Sequence, residues 1–131
     1  MKSSDYDENY LKNALNLAYL GDAVFSLMVR DFLVKKYNFK PRELNKRANA
    51  VVCAKTQALI MQDLKSKLNE DENDIVLRAR NSHTNNKAKN STLQEYHLAT
   101  EFEALVGYWY LNGEKKKLDD MFNEFVVERL W

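Results

Sequence analysis

Apolar positions recur along this chain at spacings of three and four residues, the period of an α-helix, and no segment alternates as a strand does. Between Tyr10 and about Tyr37, Leu11, Leu15, Ala18, Phe25, Met28, Val29 and Phe32 form one stripe, and Leu17, Leu20, Val24 and Leu27 a second. The pattern predicts a helix that is apolar on most sides and central in the fold. Gly21 inside it costs about 1 kcal/mol of helix propensity, which points to close approach of another helix or a ligand. Pro41 suits the first turn of a second helix that ends or bends near Val51. Residues 54–68 continue helically through Gln57, Leu59, Ile60 and Leu64. The acids of Asn69-Glu70-Asp71-Glu72 favour a helix start, where the dipole is positive, with the helix running to about Asn81. Residues 82–92 read as a loop. A helix over 93–111 is stopped by Asn112-Gly113, and residues 116–129 form a closing amphipathic helix on Leu118, Met121, Phe122, Phe125 and Val126. Residues 1–8 read as a loose lead-in. The expected fold class is all-α, a single domain over residues 1–131.

Composition narrows the picture without changing it. A chain of 131 residues is large enough for one core and too small for two. Three glycines and one proline agree with long helices and few tight turns. The formal net charge of +1 gives no global basic excess, so any surface for nucleic acid must be local. The single cysteine, Cys53, cannot form an internal disulfide and fits a reducing cytoplasm. Lying in a helical apolar run, it reads as a small buried hydrophobe. The polar, acidic first ten residues do not read as a signal peptide, and no apolar run approaches membrane-spanning length. A cytoplasmic protein with no membrane partner is expected.

Two carboxylates break the apolar pattern. The helical neighbours of Asp22 are Leu15, Ala18, Tyr19, Phe25, Ser26 and Val29; those of Glu103 are Tyr96, Ala99, Thr100, Val106, Gly107 and Tyr110. Neither set contains a lysine or arginine. An ionised carboxylate on an apolar face must protonate, find a partner or bind a cation. Two such residues on two helices can share one cation; alternatively, each caps a neighbouring helix or sits at a wet edge. Glu101 lies two residues from Glu103, on another side of the helix, and is not taken as a ligand.

The residues around these acids resemble a known family. Leu20-Gly21-Asp22-Ala23-Val24, followed far downstream by Phe102-Glu103-Ala104-Leu105-Val106-Gly107, is similar to the two signature stretches of the ribonuclease III endonuclease domain. The similarity extends to the compact Mini-ribonuclease III subfamily through Lys40-Pro41 with Leu44, Val52 to Ala58, Arg78-Ala79-Arg80-Asn81, and Tyr96 to Thr100, covering roughly residues 10–128. The resemblance implies a ribonuclease III helical bundle, acting as an endoribonuclease that cleaves double-stranded RNA with Mg²⁺. Asp22 and Glu103 match the catalytic, metal-holding carboxylates. Larger members carry two further acids, where this chain has Ala18 and Thr100, a departure shared with the subfamily that leaves the number of metal ions open. The resemblance also implies a homodimer and no separate double-stranded-RNA-binding domain. The expected substrate is the large-subunit ribosomal RNA precursor, which a ribosomal protein would help to present.

Local basic clusters supply candidate RNA contacts. Arg78, Arg80, Lys87 and Lys89 stand against a lone Glu95 between Val76 and Ala99. Lys35, Lys36, Lys40, Arg42, Lys46, Arg47 and Lys55 form a second cluster. Taken alone, these charges also fit solvated faces. With the resemblance, Arg78, Arg80, Lys87 and Lys89 are the expected duplex contacts, followed by Asn45, Lys46 and Lys55. The alternative function is a ribonuclease III-like protein that binds RNA without cutting it and assists ribosome assembly. Ala18 and Thr100 motivate that alternative, and retention of both Asp22 and Glu103 argues against it.

Overall fold

A computed structural model describes residues 2–82 and 92–131. Within them the chain forms seven helices and no strand: α1 (Ala14–Lys36), α2 (Pro41–Val51), α3 (Ala54–Leu64), α4 (Glu70–Asn81), α5 (Leu93–Leu111), α6 (Lys115–Phe125) and α7 (Val127–Leu130). Short 3-10 turns precede α1 and follow α3.

The boundaries follow local chemistry. The first helix begins at Ala14 rather than near Tyr10, because Asn13 caps it, its side chain accepting from the Asn16 amide at 3.2 Å. Two capping boxes, Asn69 with Glu72 and Thr92 with Glu95, start α4 and α5. Gly113, at φ 71°, takes the left-handed conformation that ends the α5 segment. The expected helix over 54–68 gives way after Leu64 to a 3-10 turn at Lys65–Lys67. The closing helix breaks at Val126 into α6 and α7. Cys53 differs from expectation. It is half-buried in the turn between α2 and α3, its sulfur 3.3 Å from the Thr56 hydroxyl.

The hub is α5, packed by α1, α3 and α4 and touched by α6. Its buried residues, including Leu98, Phe102, Ala104, Leu105, Val106 and Trp109, surround the whole helix. The longest helix, α1, lies along it most extensively and buries Leu17, Ala18, Gly21, Val24, Phe25, Val29 and Leu33. Phe25 and Phe102 meet edge to face beneath the crossing, centroids 5.0 Å apart, a geometry worth about 0.5–1.5 kcal/mol beyond burial. Both stripes expected on α1 are only partly core: Leu15 of the first and Leu27 of the second are exposed, as are Tyr19, at 86%, and Val34.

Candidate active site

The crossing of α1 and α5 is set by two glycines. A Cβ built on Gly21 would overlap the carbonyl oxygen of Glu103 and lie 2.9 Å from the Gly107 amide nitrogen. One built on Gly107 would overlap the carbonyl oxygen of Leu17 and lie 3.2 Å from the Gly21 nitrogen. The helices therefore run backbone against backbone, and the residues after Gly21 and before Gly107 are brought together. The close approach expected at Gly21 is that of a helix, and Gly107 is the partner that the sequence reading did not single out.

This contact brings Asp22 and Glu103 within hydrogen-bonding reach of each other. Asp22 is exposed and Glu103 half-buried. Burial, together with hydrogen bonding and repulsion from the Asp22 carboxyl, pushes the Glu103 carboxyl up to about 9, with only a smaller opposing effect from the neighbouring Gln57 amide. Neither acid has an ion-pair partner among the described residues. Like charges brought together without a cation are unfavourable, and a divalent ion relieves the repulsion. Hard carboxylate oxygens suit Mg²⁺, which is commonly held by one or two carboxylates with waters and substrate phosphate completing its shell. Asp22 and Glu103 supply two hard oxygen donors of that sparse kind; no cluster of three or more potential metal ligands occurs among the described residues.

The positions of the two missing acids are otherwise occupied. Ala18 is buried in a small cluster with Ala14, Leu17, Ile75, Ala79 and Ala104. Thr100 spends its hydroxyl proton on its own helix, donating to the Tyr96 carbonyl at 2.9 Å. Glu101, as expected, faces elsewhere. It is buried and paired with Arg80 at 3.4 Å and Lys65 at 3.8 Å.

The basic residues are less convergent. Arg80 is tied to Glu101 and Arg78 to Asp74 at 2.9 Å; two residues apart on α4, they point to different sides of the helix. Asn45 and Lys46 are exposed on α2, and Lys55 is exposed in the first turn of α3. Lys87 and Lys89 lie outside the described residues. Of the second cluster, Lys35 pairs with Asp31 and Arg47 with Glu43, and the Arg47 guanidinium also stands 4.6 Å above the Phe39 ring.

A second buried carboxylate ties the bundle together behind the site. Glu72 of α4 accepts from the Trp109 indole and the Lys117 ammonium, each at 2.6 Å, and from the Asn69 amide at 2.9 Å. Burial alone would push its pKa up, but these donors hold it below the usual carboxylate value. The network joins α4, α5 and α6.

Residues 15–114 match the model of the Ribonuclease III domain. A Mini-ribonuclease 3 of Brevibacillus brevis is 42% identical over 114 residues, spanning 87% of this chain and 85% of that protein. One of Staphylococcus aureus is 35% identical over 124 residues, covering 92% of each chain. An X-ray structure of a protein from Fusobacterium nucleatum superposes with a TM-score of 0.80 at 33% identity, covering 88% of this chain and 91% of that one. The chain belongs to the ribonuclease III family, among the Mini-ribonuclease III proteins, and is an endoribonuclease.

Proposed function

We propose that this endoribonuclease hydrolyses double-stranded RNA at the Asp22–Glu103 pair in a Mg²⁺-dependent reaction, and that it matures the ends of large-subunit ribosomal RNA precursors in the cytoplasm. The observation that carries the reading is the meeting of two unpaired carboxylates at a backbone-tight helix crossing. Exposed Asp22 and half-buried Glu103 would hold the ion. When bound, Mg²⁺ supplies Lewis-acid stabilisation of the charge that develops on the scissile phosphate and eases deprotonation of water. The residues themselves fix the geometry: Gly21 and Gly107 lock the spacing, and the apolar floor of Phe25 and Phe102 keeps the crossing rigid.

A-form RNA hides its base edges in a deep, narrow groove, so recognition rests on phosphates, 2′-hydroxyls and shape. Arg78, Arg80, Lys87 and Lys89, between Val76 and Ala99, are proposed phosphate contacts, followed by exposed Asn45, Lys46 and Lys55. The exposed apolar residues Leu15, Tyr19, Leu27 and Val34 on α1 support a homodimer, since a second copy would cover them, and Leu15 and Tyr19 adjoin Asp22 at helical spacing. Two such sites would cut the two strands of one duplex, and a ribosomal protein would assist by presenting the precursor.

The test is incubation with an end-labelled stem from a large-subunit ribosomal RNA precursor, with Mg²⁺ or EDTA. Cutting confined to the duplex, abolished by EDTA and leaving 5′-phosphates, is expected. Tight duplex binding without cutting under any divalent metal would transfer the assignment to an RNA-binding assembly factor.

A further inference from the structure

Among the described residues three polar or charged side chains are buried: Gln57, Glu72 and Glu101. Glu72 and Glu101 each have cationic partners. Gln57, 3% exposed, has none; it lies on α3, which packs against α5, and its amide neighbours the Glu103 carboxyl. It sits on the face of α3 that otherwise buries Ile60, Met61 and Leu64, at positions three, four and seven residues on. A leucine would continue that face and avoid burying an amide, which is costly without a hydrogen-bonding partner. The feature that an amide adds here is a neutral donor beside Glu103.

We propose that Gln57 is a positioning residue of the hydrolytic site: its amide donates to one oxygen of Glu103 and holds the carboxylate toward Asp22, ready for a divalent cation. The inference rests on the reading of Asp22 and Glu103 as the cation-holding pair. Its chemistry explains the residue type. A lysine or arginine in this slot would orient Glu103 but cancel the negative charge the ion needs. A carboxylate would add repulsion. An amide has two N–H donors and no charge, so it fixes a flexible side chain and leaves the second carboxylate oxygen free. Partners that orient metal-holding side chains in this way typically contribute 10- to 100-fold to metal affinity or activity.

The experiment compares wild type, Gln57→Met, Gln57→Asn and Glu103→Gln. Methionine keeps the unbranched volume without a donor; asparagine keeps the amide but withdraws it by one methylene and serves where methionine fails to fold. Free Mn²⁺, counted by electron paramagnetic resonance, reports cation binding directly. Cleavage is measured as a function of Mg²⁺ concentration, and duplex affinity is measured in EDTA. The expected result for either Gln57 variant is about tenfold weaker Mn²⁺ binding. The half-saturating Mg²⁺ for cleavage should rise by a similar factor, the rate at saturating Mg²⁺ should stay near wild type, and duplex affinity in EDTA should not move. Mn²⁺ binding within twofold of wild type in the Gln57 variants, while Glu103→Gln loses it, overturns the role of Gln57 alone. A fall in rate that no Mg²⁺ concentration restores also overturns it, since that marks a structural defect. Unchanged Mn²⁺ binding in Glu103→Gln overturns the underlying site, and this proposal with it.

Discussion

Gly21→Ala adds one methyl group at the point where α1 and α5 touch. Its Cβ would overlap the backbone carbonyl of Glu103, which cannot rotate out of the way as a side chain could. The helices must therefore separate or slide. Alanine is better than glycine in a helix interior by about 1 kcal/mol, so a site with room would gain stability. Overpacking of a close-packed interior costs about 1–3 kcal/mol, and a rigid neighbour puts this case at the upper end. The expected net is a destabilisation of about 1–2 kcal/mol in urea unfolding. The larger effect falls on chemistry: misplacement of reacting groups by about 1 Å can cost 100-fold, and this contact sets the distance from Asp22 to Glu103. Single-turnover cleavage of a labelled duplex at saturating Mg²⁺ should fall by that order, with duplex binding in EDTA preserved. Gly113→Ala is the control. It meets nothing within 4 Å but has φ 71°, so it should cost about 1 kcal/mol of backbone strain and leave cleavage unchanged. A Gly21→Ala protein as stable as wild type and cleaving within twofold of it would refute the reasoning.

Other expectations follow from half-buried Glu103, buried Glu72 and the apolar stripe. Glu103, raised to about 9, holds a proton in the folded state that the unfolded chain releases near its ordinary value. Metal-free protein should therefore lose stability as pH rises between about 4.5 and 9, by at most about 1.4 kcal/mol per pH unit from this group. Thermal melts in EDTA should show that slope, and Glu103→Gln or added Mg²⁺ should flatten it; a slope unchanged by the mutation contradicts the assignment. Glu72 has the opposite sign: held below its ordinary value, it contributes stability above pH about 4.5 that is lost as pH falls through its folded pKa. Glu72→Leu leaves the Trp109 indole without its acceptor and should cost about 2–4 kcal/mol at neutral pH, read by urea unfolding. Leu27→Asp, placing a charge in the exposed stripe of α1, should shift the proposed dimer to monomer in sedimentation equilibrium while leaving the fold intact by circular dichroism; an unchanged mass would remove that stripe from the interface.

Much of this was legible in the residues. Helix periods, the Asn69 and Thr92 starts, and the Asn112-Gly113 stop are local signals, and local chemistry decides them. Asp22 and Glu103 stood out because nothing at helical spacing could neutralise them, and Gly21 announced a close approach. Other features depended on residues distant in the chain. Of three consecutive acids at the start of α4, the one that turns inward is decided by Trp109 and Lys117, 37 and 45 residues away. Gln57 reads in the sequence as one position of a helical run with Leu59, Ile60 and Leu64; its burial among Ile60, Met61 and Leu64 and its place beside Glu103 come from another helix. On α1, Leu15 and Leu27 have the same hydrophobicity as Leu17 and Leu33, but only packing against α5 separates buried from exposed. Cys53 followed an apolar run that in fact bends, so it lies in a turn rather than the core.

The most direct test of the central claim compares wild type, Asp22→Asn and Glu103→Gln for single-turnover cleavage, duplex affinity and thermal stability in EDTA. Both variants should lose at least about 100-fold in cleavage rate while binding duplex as wild type does. Glu103→Gln should also match or exceed wild-type stability without metal above neutral pH, because the amide stays neutral where the half-buried carboxyl beside Asp22 must give up its proton. Cleavage by either variant within tenfold of wild type at saturating Mg²⁺ would contradict the account.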